Sequence, residues 1–81
     1  MTHQDFKKYS VRQQIYTIHQ YAHFLTLTTI GDCITRLYAL DNFFVEYRYN
    51  ITTLQVSVDA FKDTDRLSTF LNEVDVSIFS N

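Results

Sequence analysis

Two short segments, CITRLYAL at 33–40 and FFVEYRY at 43–49, alternate in hydropathy with a period of two and are separated only by Asp41 and Asn42. A period of two marks strands with one covered face, and Asp and Asn both tolerate the positive φ that a two-residue hairpin turn demands. Such a turn sets Leu40 opposite Phe43, Tyr38 opposite Val45, Arg36 opposite Tyr47 and Ile34 opposite Tyr49. A third run, LQVSV at 54–58, follows Asn50-Ile51-Thr52-Thr53. A loop of two or of four residues gives it the same parity. Leu54, Val56 and Val58 then share a face with Phe43, Val45, Tyr47 and Tyr49, so the two hairpins agree independently about which face is inside. The rings of LDNFFVEYRYN are, on this reading, mostly core, with the tyrosine hydroxyls at its rim.

Outside these runs the period changes. Ser10 is placed to cap a helix running to about Leu27, with Gln13 three residues on as in a capping box. Val11, Ile15, Ile18, Ala22 and Leu25 form its apolar stripe, and Gly31-Asp32 reads as the break after it. Residues 1–9 read as an extension of that helix or a frayed N-terminus. Asp63 caps a second expected helix, TDRLSTFLNEV, whose Leu67, Phe70, Leu71 and Val74 fall at i, i+3, i+4 and i+7. Residues 75–81, with Val76 and Ile78 alternating, read as a tail or a short edge strand. The expected architecture is a single α+β domain over 1–81: helix, three-stranded antiparallel β-meander, helix, with both helices packed on one face of the sheet.

Eighty-one residues sit near the size at which one hydrophobic core is only just sufficient, and a composition 46% hydrophobic and 16% aromatic supplies that core. One cysteine, Cys33, excludes an internal disulfide and a multi-cysteine zinc site. MTHQDFKKYS has no apolar run behind its lysines, and no stretch approaches the ~20 apolar residues of a membrane span. A cytoplasmic location is therefore expected, and Asn50-Ile51-Thr52 is read as a turn rather than a glycosylation site. The net charge of -2 speaks against phosphate-backbone binding, which wants a basic surplus.

The face opposite the core carries Thr35, Leu37, Ala39, Phe44, Glu46, Arg48, Gln55 and Ser57. Leu37, Ala39 and Phe44 make it more apolar than an ordinary solvent face, and Glu46 is expected to pair with Arg48, two residues along the strand, or with a basic residue of a partner. Leu37, Phe44, Glu46 and Arg48 are thus a candidate contact surface for protein, first of all a second copy of the chain in a homodimer. The bland alternative is the apolar surface that every small sheet leaves exposed. The LQVSV strand, an edge without lysine, proline or glycine, adds to the case for association. Along the first helix, Arg12, Tyr16, His19 and His23 fall at i, i+4, i+7 and i+11 and form a secondary candidate flank, set against an ordinary boundary between core and solvent. HQYAH lacks the glutamate of HExxH and no third ligand is implied, so no metal is expected. Cys33 with His19 or His23, as a thiol–imidazole pair, is the remaining candidate for chemistry, against the commoner role of Cys as a small buried hydrophobe. No glycine-rich phosphate loop or nucleophile elbow is present, and no catalysis and no cofactor are expected.

The order helix, three strands, helix resembles the double-stranded-RNA-binding domain in topology, which implies RNA as an alternative partner. That family places lysines at the start of its second helix, where this chain has FKDTDR, with Asp63 and Asp65. A second resemblance spans roughly residues 36–77. Leu37, Tyr38, Phe43, Phe44, Val45, Glu46 and Tyr47, then Phe61, Leu67, Phe70, Leu71 and Asp75, are similar to a pattern of small uncharacterised proteins of Bacteroidetes-type bacteria. Arg48 departs from that pattern, which places an apolar residue there. The resemblance implies a compact bacterial domain and no particular activity.

Overall fold

The computed structural model describes residues 1–67, and it divides the expected long helix between a helix and a strand. Helix α1 spans His3–Lys7 and helix α2 spans Val11–Tyr21. Four strands come next: β1 His23–Ile30, β2 Cys33–Leu40, β3 Phe43–Asn50 and β4 Val56–Phe61, with a 3₁₀ turn at Thr64–Leu67. They form one antiparallel sheet in the order β1-β2-β3-β4. The chain is an α+β fold, with a four-stranded meander in place of the expected three.

Ser10 caps α2 as expected, its hydroxyl accepting from the backbone N–H of Gln13. The helix stops at Tyr21 because Ala22 turns to extended backbone (φ -85°, ψ 153°) and the next residues, HFLTLTTI, are rich in the β-branched and aromatic side chains that favour strands. Gly31 and Asp32 form the two-residue turn of a hairpin, Gly31 at φ 58°, and Ile30 pairs with Cys33. A register shift at Leu25, between Phe24 and Thr26, bulges β1.

The N-terminal residues include a short helix of their own, separate from α2. Thr2 and Asp5 make a reciprocal capping box around α1, and Phe6 is fully buried. Its ring lies 5.8 Å from that of Phe43, and the Gln14 side chain donates to the Phe6 carbonyl at 3.0 Å, locking α1 to α2. α1 packs on β4, and α2 on β2 and β4. Together they bury Leu40, Phe43, Val45 and Ala60 of the sheet with Phe6 and Ile18. Each large apolar side chain there contributes roughly 1.5–3 kcal/mol against the entropy of ordering the chain. Of the expected α2 stripe, Ile18 is buried and Ile15 half-buried, while Val11 and Leu25 are exposed.

The β2–β3 register matches the sequence reading pair for pair. Between β3 and β4 five residues, 51–55, make the connection, and an N–H···O bond from Asn50 to Gln55 closes it. Asn50 Oδ1 accepts from the backbone N–H groups of Thr52 and Thr53, which explains why this asparagine begins a turn. Val56 and Val58 have the expected parity, but Leu54 lies in the loop at φ 61°, exposed, and β4 runs on to Phe61. Asp63 accepts from the Asp65 N–H and caps the segment after it, which over Thr64–Leu67 is a 3₁₀ turn. Leu67 packs with Leu37, Phe44 and Phe61, on the face opposite α1 and α2. The segment after β4 therefore crosses to the other side of the sheet instead of joining both helices on one face. The rest of the expected second helix, with Phe70, Leu71 and Val74, and the 75–81 tail lie outside the described residues.

Candidate interaction surfaces

On the outer face of the sheet, Leu37, Glu46 and Asp59 are register neighbours, as are Phe44 and Phe61. Glu46 accepts from Arg48 at 2.6 Å, so the pair read from the i, i+2 spacing is present. It accepts also from Arg66 at 3.2 Å, and Arg66 reaches Asp59 at 2.8 Å while its guanidinium sits 4.1 Å from the centre of the Phe61 ring. Burial works to lower the Arg66 pKa, but the hydrogen bond to Asp59 and the charges of Glu46 and Asp59 outweigh it and raise it above the ordinary value. Phe61 stacks in turn on Phe44, rings 5.7 Å apart.

This arrangement changes what the four outer-face candidates offer. Leu37 is 2% exposed and the Glu46 side chain 7% exposed, so both are inside the molecule. Phe44 is half-buried, and of the four only Arg48 is exposed. Arg66 was not legible as their partner, because it requires the chain after β4 to cross the sheet.

The secondary flank separates into two places. Arg12, Tyr16 and His19 lie exposed on α2, whereas His23 begins β1 and pairs with Ala39. The i+11 spacing had assumed a helix that in fact ends at Tyr21. Among the described residues there is no group of three or more His, Cys, Asp or Glu that could hold a metal ion. Cys33 sits at the Gly31 turn, half-buried, its sulfur accepting from the Asn50 side chain at 3.7 Å. His23 is at the opposite end of β1, six residues along β2 from Cys33, or roughly 20 Å at strand rise, too far for a thiol–imidazole pair. Asp63 precedes the 3₁₀ turn and Asp65 lies within it, where the RNA-binding resemblance needs cations, and two helices followed by four strands is not that family's order.

A different surface emerges at β1. Among the described residues it is an edge strand, eight residues long, with no lysine, arginine, aspartate, glutamate, proline or glycine. Phe24, Leu25, Leu27 and Ile30 are each between 42% and 57% exposed. The other edge, β4, carries Asp59 and has α1 and α2 against it. No described helix is long and apolar enough to cross a membrane. No family model matches the chain, and no curated protein or solved structure matches it.

Proposed function

We infer that the protein is a non-catalytic protein-binding module that associates first with itself, by antiparallel pairing of β1 with β1 of a second copy. The observation that carries this reading is β1, outermost of the strands among the described residues, with no Asp, Glu, Lys or Arg and four exposed large apolar side chains. An edge strand presents unpaired N–H and C=O groups, and proteins that remain single usually blunt such an edge with charge, proline or cover. Here the bulge at Leu25 is the only such device within β1, and it leaves Thr26–Ile30 regular. Antiparallel pairing of identical strands is self-complementary about a two-fold axis, and a strand without charge meets no like-charge repulsion when it faces itself.

Sedimentation of the wild-type chain over a range of concentrations, beside Leu27→Lys and Phe44→Arg, tests the reading. A dimer that dissociates with Leu27→Lys and persists with Phe44→Arg supports it. A wild-type monomer throughout removes the self-association, and a dimer lost only with Phe44→Arg moves the contact to the outer face.

A further inference from the structure

Among the described residues, the inner face of the sheet is covered over only part of its length. α1 and α2 close over Leu40, Phe43, Val45 and Ala60. Toward the other end, Ile34, Tyr47 and Tyr49 are half-buried and Arg36 is exposed. The register sets Arg36 beside Tyr47 and Ile34 beside Tyr49, a two-by-two block lining an open depression of about 270 Å³. Leu27 and Thr29 of β1 flank the block on one side, and Val56 and Val58 of β4 on the other.

The charges of the strands are segregated. Glu46, Arg48 and Asp59 share the outer face, where each is ion-paired. Arg36 is the one Asp, Glu, Lys or Arg on the inner face of the four strands, and no carboxylate among the described residues lies within ion-pair distance of it. A guanidinium on an apolar, aromatic floor is suited to a planar anion that it can hold with two parallel hydrogen bonds. The depression is open and smaller than the ~300–1,000 Å³ clefts that enclose small molecules, so it accommodates one side chain rather than a whole ligand. A nucleic acid backbone would need several cations in a row, and this face has one.

We propose that the Ile34–Arg36–Tyr47–Tyr49 block is a docking site for a peptide segment of a partner protein, with an Asp or Glu carboxylate on Arg36 and apolar neighbours on the two tyrosines and Ile34. The site borders β1 but uses side chains on the sheet face, whereas the β1 pairing uses that strand's backbone edge, so either can fail without the other.

The test is a titration of the ¹⁵N-labelled chain, followed by amide shifts, with the capped tetrapeptide Ac-Leu-Asp-Tyr-Leu-NH₂ and its Asn twin. Arg36→Gln is run in parallel; the side chain is exposed, and the same spectra report whether the fold is kept. The expected result is shifts centred on Ile34, Arg36, Tyr47 and Tyr49, with the Asp peptide binding about ten-fold tighter than the Asn twin. Arg36→Gln is expected to abolish that difference. Equal binding of the twins, shifts confined to β1, or no shift at millimolar peptide would overturn the proposal. A short RNA duplex that shifts the same amides more strongly than the Asp peptide would overturn it in favour of a polyanion.

Discussion

Arg66 bridges Glu46 and Asp59, two neighbours on adjacent strands, with one nitrogen 3.2 Å from Glu46 and the other 2.8 Å from Asp59. The guanidinium thereby ties the turn after β4 to the middle of the sheet, over the Phe61 ring. Glu46 is the buried member of this network and depends on both arginines for compensation. Glu46→Gln keeps the shape but removes the charge that they face, and is expected to cost about 1–3 kcal/mol in urea unfolding. Arg48→Gln, with half of its side chain in solvent, is expected to cost no more than ~1 kcal/mol. Equal costs would mean that burial of Glu46 has no bearing on the network.

Phe6 is the residue on which α1 depends. It is fully buried against Phe43 and Tyr9, and α1 has no other buried side chain. Phe6→Ala is expected to destabilise by about 3–5 kcal/mol, a large share of what so small a domain possesses. A thermal melt within a degree or two of wild type would return residues 1–9 to the status of a frayed end.

Gly31 tests the β1–β2 turn. A Cβ added there meets nothing within 4 Å, so the cost of Gly31→Ala is purely that of holding φ at 58°. That cost is expected to be roughly 1–2 kcal/mol. Gly31→Asn, which tolerates the left-handed region better, is expected to lose less, and the comparison by denaturant unfolding separates backbone strain from crowding.

The parts of the fold that were legible are those in which turn length and side-chain parity constrain each other. Asp41-Asn42 fixed the β2–β3 register, and that register put Glu46 and Arg48 on one face. β1 was hidden because Thr26, Thr28 and Thr29 place the same residue type on both faces, erasing the alternation. Ala22 and Leu25 meanwhile continued the helical spacing of Ile15 and Ile18. The two signals that oppose a helix were Gly31-Asp32, read as a break when it is a hairpin turn, and the β-branched run before it. α1 was missed because five residues are too few to show a period, although Thr2 and Asp5 carry the capping-box spacing. With β1 unrecognised, its uncharged strand and the flank of the Arg36 block were beyond reach, since both depend on which strand lies outermost among the described residues.

Thr28 makes the last prediction, because its hydroxyl is a cost that the sheet does not recover. The residue is 5% exposed on β1, and its Oγ1 is buried with no hydrogen-bond partner among the described residues. Burying a hydroxyl without a partner costs about 1–3 kcal/mol, and valine fills nearly the same shape without the polar atom. Thr28→Val is therefore expected to raise stability by up to ~1 kcal/mol, allowing for partial relaxation around the hydroxyl in the parent. Its higher strand propensity acts in the same direction. Thermal and urea unfolding of the two chains decide the matter. A variant less stable than wild type would mean that the hydroxyl is satisfied after all, by an ordered water bonded to Thr28.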